Sequence, residues 1–532
     1  MNDPHRRFVD GRFVLRGRPY LIVGGELHNS GSSTPRAIEQ SLDVAAEIGV
    51  NTVLAPVAWE LIEPQEGVFD FHTVDALIEG ARTRGLHIVP LWFGTWKNGM
   101  STYVPGWVKQ DPERFPRIRN ASGESIEAIS PFCRAARDAD ALAFAALMRH
   151  LAAHDDGETV LMVQVENEVG VLGDSRDRSP LAEERWGDAV PAAVREAVGR
   201  SRPGRLRSTM QRSGGGENAD WQTLFGDEAD EAFMASAYAS YIDAVARAGR
   251  EAFDVPLYVN AWVDANLESD GGDSEFALGG GTSPGVYPSG GPLRHTSSIW
   301  RALAPTLDFL APDLYFGSFD LIAGEYAAID GILFIPEMQC NRVGVEQMFR
   351  AVGQLGASGV APFAFDLMTK DDPHYADVKD AFALLSAIGR VVEQHPGAEL
   401  TGFTLTDTDP TRRLFPDGAL EVTRSHMAEI FPTPRNGVGV VARLDDDAYV
   451  IVGRGFAVRA LRADGARAGW LSVEELEHED DQWVVRRRLN GDEIGGGEWI
   501  RLPAIEQVQS ELFPIRQSTV SSGALRVRTY SY

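Results

Sequence analysis

Cysteine is nearly absent. The 532 residues hold two, Cys133 and Cys340, which cannot build a disulfide framework and offer no paired-Cys spacing for zinc. Basic charge is also scarce: 50 Lys and Arg face 77 Asp and Glu, for a formal net charge of −27. That balance argues against nucleic acid and anionic membrane as partners, because both need basic patches, while neutral ligands are not penalised. Long apolar runs are missing too. Ala141 to Met148 is far below the length of a membrane span and lies between Asp140 and Arg149. No apolar segment follows the charged start Met1 to Arg7. No signal peptide is therefore visible, and the expected location is cytoplasmic, or periplasmic if a signal has been trimmed. Gly279-Gly280-Gly281 is not followed by Gly-Lys-Ser/Thr, so it is not a phosphate loop. No His-x-His pair occurs, and the expectation is an unmetallated site without a cofactor.

What is present is a repeat. Leu21 to Gly25 reads as a buried strand, Ser33-Thr34-Pro35 as a helix start and Gly49 as its end. Strands follow at Asn51–Val57, Leu86–Trp92, Thr159–Val165, Leu257–Asn260, Phe309–Tyr315, Leu333–Pro336 and Gly359–Phe365. Helical patterns lie between them, among them about 72–84, 138–153, 227–253 and 378–395. Eight strand–helix units with right-handed crossovers predict an α/β chain, a (β/α)8 TIM barrel over residues 1–396, entered by a small hairpin from Phe8 to Tyr20. An open doubly wound sheet is disfavoured because no glycine-rich loop follows the first strand. From about Gly397 short β-type runs alternate with turns, which predicts an all-β sandwich over 397–532. The acids Glu474, Glu475, Glu477, Glu479, Asp480 and Asp481 read as a solvated face of it. Two long segments, Gly94–Phe132 and Ala265–Ser297, read as loops at the barrel mouth.

Two strands turn acidic at their ends. Val163-Gln164-Val165 runs into Glu166-Asn167-Glu168, and Leu333 to Pro336 runs into Glu337. A buried carboxylate costs several kcal/mol unless paired or used. In a TIM barrel both runs fall at the C-terminal strand ends, where active sites sit. Two carboxylates facing each other there are what glycoside hydrolysis requires: one to protonate, one to attack or to activate water.

Gln164 to Gly170 resembles the acid/base motif of glycoside hydrolase family 35, the β-galactosidase family of clan A. Val57-Ala58-Trp59-Glu60 through Glu63 to Phe71 resembles the family motif after the second strand, His28 its histidine after the first, and Phe334-Ile335-Pro336-Glu337 its nucleophile strand. The resemblance spans about the first 395 residues. It implies Glu168 as acid/base, Glu337 as nucleophile and Asn167 as a ligand of the sugar 2-hydroxyl. Tyr315 stands where clan A members often set a Tyr against the nucleophile. The remaining candidates for sugar contact are His28, Trp59, Glu60, Trp96, Asn260 and Trp262. Three departures stand out: Trp-Asn becomes Trp59-Glu60, a Tyr becomes Pro56, and the Ala-Glu that grips galactose hydroxyls becomes Gly94-Thr95 before Trp96. The chemistry is therefore better carried over than the identity of the sugar.

The expectation is a retaining, exo-acting β-galactosidase with a carbohydrate substrate; a homo-oligomer is compatible with it. The alternatives are another clan A specificity (β-glucosidase or α-L-arabinopyranosidase), a metal-dependent barrel enzyme, and a non-catalytic carbohydrate-binding barrel. An ionised Glu166, two residues from Glu168, would raise the proton affinity of Glu168; the competing expectation is that Glu166 turns away to an Arg.

Overall fold

Thr34 accepts a hydrogen bond from the Ala37 amide, and Pro35 opens helix α1 (Pro35–Ile48). Gly49 closes it in the left-handed region at φ 93°, which costs a glycine nothing. Such start and stop signals recur down the chain and set the rhythm of the fold. The structure is a computed structural model that describes residues 5–155, 158–265, 281–424, 435–462, 467–479, 482–505 and 520–532.

Eight parallel strands close into a barrel in chain order: β1 (Ile22–Glu26), β2 (Thr52–Ala58), β3 (His87–Lys97), β4 (Val163–Asn167), β5 (Leu257–Trp262), β6 (Phe309–Leu314), β7 (Phe334–Met338) and β8 (Gly359–Pro362). The expected TIM barrel is present. The main helices around it are α1, α2 (His72–Thr83), α3 (Arg134–His154), α4 (Ala229–Ala252), α5 (Ser297–Leu303), α6 (Phe319–Asp330), α7 (Arg342–Gly353) and α8 (Tyr375–Gln394). Alternation along each strand sorts the core into two layers. Ile22, Leu54, Leu91, Tyr258, Phe309 and Phe334 fill the barrel. Val23, Val53, Ile88, Val165, Val259 and Ile335 face the helices. The N-terminal segment forms three short antiparallel strands rather than one hairpin. Phe13 of that segment is buried among the barrel-filling residues, and Phe8 meets Phe309 edge-on at 5.0 Å. It plugs the barrel floor and leaves the opposite end open.

The segment after β3 is more ordered than its sequence suggests. β3 runs on to Lys97, and a short helix (Gly106–Lys109) and a two-stranded ribbon (Arg117–Arg119 with Ser125–Ile129) follow. In the segment after β5, residues 266–280, which include Gly279 and Gly280, lie outside the described residues.

The C-terminal part is the expected sandwich. One sheet holds six strands, β9 (Glu399–Leu405), β12 (Gly437–Arg443), β13 (Ala448–Arg454), β18 (Ala524–Ser531), β15 (Ala468–Glu479) and β16 (Gln482–Arg488). The other holds β10 (Thr411–Leu414), β11 (Leu420–Thr423), β14 (Phe456–Ala460) and β17 (Ile500–Leu502). Phe403, Val441, Ile451, Leu420, Val458 and Val527 form the core between them. The outer face of the larger sheet is buried as well: Val438, Val440, Val450 and Val452 join the core that contains Val345, Phe349 and Phe382 of α7 and α8. At the crossing of α7 and β9 a Cβ on Gly353 would stand 2.5 Å from the Gly402 Cα, so the two backbones touch. Arg435 pairs with Asp377, and Arg454 with Asp380, across the same seam. Among the described residues no helix is long and apolar enough to cross a membrane.

Two acids of β15 correct the expectation of a solvated face, whereas Glu477 is partly exposed beside Arg486. Glu475 is fully buried, paired with Arg487 and accepting from the Ser522 amide at 2.9 Å. Glu474 pairs with Arg526 at 2.7 Å. Arginines on the neighbouring strands supply the counter-charge. Asp480 and Asp481 lie outside the described residues.

Candidate active site

Regular alternation would send Asn167 and Glu168 to opposite faces of β4. Both face the barrel mouth instead. The chain manages this with left-handed backbone at Glu166 (φ 62°) and Glu168 (φ 45°), a strained conformation for a side chain of that length and one that concentrates at functional sites. On β7 the register against β8 shifts between Ile335 and Met338; this bulge turns Glu337 inward three residues after the inward Phe334. Glu168, Glu337 and Asp313 then converge, each with a carboxylate oxygen within 4.8 Å of the others.

Glu337 is held by donors. Its Oε1 accepts from Asn167 Nδ2 at 3.1 Å and Asn260 Nδ2 at 3.3 Å, and its Oε2 from the Tyr315 hydroxyl at 3.0 Å. The Lys97 ammonium stands 3.9 Å from Oε1. Asn260 is fixed in turn, because its Oδ1 accepts from the Glu168 amide at 3.0 Å and its Nδ2 donates to Asp313 at 2.7 Å. Glu168 is different. Burial, reinforced by the charge of Glu337, pushes its carboxyl up to about 8 although Lys97 works the other way. A Glu168 held toward its protonated form beside a Glu337 that accepts three hydrogen bonds is an arrangement that can supply a proton and an attacking oxygen from one pocket.

Asp313, Lys97 and Glu26 complete the cluster, and sequence reasoning misses all three. Each carries a signal. Asp313 interrupts the apolar run Phe309 to Phe316, two residues after the inward Ala311. Glu26 sits four after the inward Ile22. Lys97 is hidden because β3 runs five residues past the expected Trp92. Burial and then Glu337 and Glu168 hold Asp313 well above the usual carboxylate range. Burial works against the Lys97 ammonium, yet the acids around it outweigh that and raise it. Glu168, Glu337 and Asp313 could each offer an oxygen to a cation, but the Lys97 ammonium and two amide NH2 groups already crowd Glu337 Oε1. The donor set suits a hydrogen-bonded carboxylate better than a metal ligand.

Glu166 does neither thing expected of it. It is fully buried behind β3, where it accepts from the Thr95 amide at 3.0 Å and the Trp96 amide at 2.7 Å. Burial and the neighbouring Asp140 raise its carboxyl well above the usual range. Among the described residues no Arg meets it, and the Glu168 shift arises from burial and Glu337 instead.

The other sugar-contact candidates divide. Asn167, Asn260 and Tyr315 join the acids. Trp262 ends β5, half-buried, two residues beyond Asn260. His28 stands two residues past Glu26 with its Nδ1 2.6 Å from Asp366 and a partly exposed ring. Trp59 and Trp96 are core residues: each is fully buried, Trp59 donating to Glu63 at 2.8 Å and Trp96 to the Ile129 carbonyl at 3.1 Å. Trp96 packs edge-on against Tyr238 and Tyr241. Glu60 pairs with Lys109, half-exposed, at 2.8 Å. The turn Trp59–Ile62 that follows β2 sends the indole under the helix layer and the carboxylate outward.

Residues 12–235 match the sequence model of glycosyl hydrolases family 35, and residues 378–501 match a domain of unknown function (DUF5597). A beta-galactosidase of Xanthomonas manihotis is 31% identical over 187 residues, 33% of this chain and 27% of that one. An exo-beta-D-glucosaminidase of Pyrococcus horikoshii is 36% identical over 127 residues, 21% of this chain and 16% of that one. The human beta-galactosidase-1-like protein 3 is 29% identical over 175 residues, 32% and 24%. The chain thus spans between 16% and 27% of the length of these relatives. Among solved structures, a beta-galactosidase from Bacillus circulans sp. alkalophilus aligns with 70% of this chain and 57% of that one at 13% identity and a TM-score of 0.48. The stretch that is similar to glycosyl hydrolases of family 35, residues 12–235, contains Glu168 and the first four barrel strands.

Proposed function

We propose that the chain is a retaining, exo-acting β-galactosidase. The observation that carries the reading is the pair Glu168 and Glu337, with carboxylate oxygens no more than 4.8 Å apart. Retaining glycosidases hold their carboxyl groups about 5–5.5 Å apart, whereas inverting ones need roughly 6.5–9.5 Å to admit a water. Glu337 attacks the anomeric carbon as Glu168 gives its proton to the departing oxygen. Glu168 then takes a proton from water, whose oxygen displaces Glu337 from the anomeric carbon and frees the sugar. The donors from Asn167, Asn260 and Tyr315 hold Glu337 in line for attack.

A second reading comes from the similarity to an exo-beta-D-glucosaminidase. Lys97 argues against it. Its ammonium donates to Asn167 Oδ1 at 2.9 Å, beside the residue assigned to the sugar's second carbon, where an amino sugar would bring a like charge.

The test is a panel of nitrophenyl β-galactoside, β-glucoside, α-L-arabinopyranoside and β-glucosaminide, run with and without EDTA, with the anomer of the first product read by NMR. The reading expects the galactoside to turn over fastest, EDTA to have no effect and the β-anomer to appear first. Preference for another sugar would move the specificity within clan A. An α-anomer as first product would overturn the double displacement.

A further inference from the structure

Glu26 ends β1, fully buried, and alternation from Ile22 points its side chain into the barrel. Its backbone is tied down on both sides: its carbonyl accepts from the Ala364 amide at 2.8 Å, and its Cα pairs with Leu54. Its carboxyl is not. Among the described residues no group donates to or accepts from either oxygen. An unpartnered buried carboxyl costs several kcal/mol, and such groups mark places where function overrides stability. Glu26 does not stand alone. The Tyr258 hydroxyl and Asp313 Oδ1 are, among the described residues, also buried without a partner. Glu26 feels the charges of Glu337, Lys97 and Glu168, and Tyr258 those of Glu26, Asp313 and Glu337. The unmet polar atoms therefore gather in one place, under the two catalytic candidates.

We propose that Glu26 is a glycon-binding residue whose carboxyl hydrogen-bonds ring hydroxyls remote from the anomeric carbon, and thereby selects the sugar. The inference rests on the glycosidase reading above. Glu337 and Asn167 take the anomeric carbon and its neighbour, so the hydroxyls left for Glu26 are those on the third, fourth and sixth carbons. Burial, followed by the charge of Glu337, raises the Glu26 carboxyl well above the usual range. That favours the protonated form, in which the carboxyl can both donate to a hydroxyl oxygen and accept from a hydroxyl hydrogen. A neutral sugar suits it. Thr95 on β3 cannot do this work, because its hydroxyl is engaged outward with Asp140 at 2.7 Å.

The test uses the full-length chain and the nitrophenyl glycoside that the wild type turns over fastest, with its 3-, 4- and 6-deoxy analogues. Glu26→Leu should lower kcat/KM on the parent glycoside by roughly 100-fold, the scale of one buried hydrogen bond to a substrate hydroxyl left unmade. On the deoxy analogue that lacks the partner hydroxyl, variant and wild type should converge to within a few-fold. Glu26→Gln, which keeps the shape and one donor, should show the same pattern more weakly and covers the case in which the Leu variant does not fold. Equal losses on every analogue, or a shift of the pH profile with no change in the deoxy pattern, would overturn the proposal and leave Glu26 an electrostatic neighbour of Glu168. Wild-type turnover on the panel tests the glycosidase reading separately from this pattern.

Discussion

Lys97 and Asn167 are joined side chain to side chain. The Lys97 ammonium donates to Asn167 Oδ1 at 2.9 Å, which fixes the amide so that its Nδ2 donates to Glu337 Oε1 at 3.1 Å. A residue of β3 thus orients a residue of β4 onto the carboxylate of β7.

The two glutamates should separate by chemistry. Glu337→Ala removes the attacking oxygen and should abolish turnover of every substrate; azide entering the vacated face should restore it with inverted product. Glu168→Ala should still release dinitrophenol, which leaves without a proton, and azide should then speed breakdown of the glycosyl-enzyme with retained configuration. A natural sugar leaving group should fail in both variants. Equal loss on activated and unactivated leaving groups in Glu168→Ala, with no azide rescue of either variant, would reverse the assignment.

Activity should fall at alkaline pH. Glu168 must be protonated to act, and its carboxyl is raised to about 8, so kcat/KM should hold below that pH and decline as pH rises through it. Lys97 lowers the Glu168 carboxyl. Lys97→Met should therefore move the basic limb upward as it weakens catalysis. A limb that stays in place or moves down would refute the coupling.

The same group should cost stability. The folded Glu168 holds its proton up to about 8, whereas an unfolded Glu releases it near pH ~4.3. Between those values the native state binds more protons, so stability falls as pH rises through the window. Glu168→Gln cannot ionise and should raise Tm at about pH 8.5 by a few degrees more than at about pH 5. Equal shifts at both pH values would contradict this.

The seam between barrel and sandwich should be sensitive to a single methyl group. A Cβ on Gly402 would lie 2.7 Å from the Gly353 Cα and 2.9 Å from the Phe349 carbonyl. Gly402→Ala should destabilise by about 1–3 kcal/mol, the usual cost of overpacking. It should leave kcat nearly unchanged, because α7 ends at Gly353 on the floor side of the barrel while the acids sit at its mouth. Denaturant unfolding checks the first expectation and steady-state kinetics the second.

The architecture was legible where local signals agree with the global fold. Thr34, Pro35 and Gly49 bound α1 where expected, and the eight apolar runs became eight barrel strands. The site was legible only in part, for a physical reason. Strand-end carboxylates can be read from sequence, but which way they face depends on backbone departures such as the φ of Glu166 and the bulge before Met338. Asp313, Glu26 and Lys97 were hidden because each is a lone polar residue in an apolar strand or past its apparent end. Trp59 and Trp96 misled because an indole after a strand serves the core and the mouth equally well until its neighbours are seen. Glu475 misled because its counter-ion, Arg487, comes from the next strand.

The larger sandwich sheet is greasy on both sides, and this sets how the molecule can be taken apart. One side is closed by its own partner sheet; the other rests on α7 and α8. Severing the chain at residue 396 would strip the cover from Val345, Phe349 and Phe382 on one fragment and bare Val440, Val450 and Val452 on the other. Neither half would be left with a clean polar exterior, and each would offer a flat adhesive surface to its own copies. The barrel and its companion are therefore a single unit of expression. Any transplant of another β domain onto this barrel must bring a residue as small as Gly402 to the point where the backbones cross.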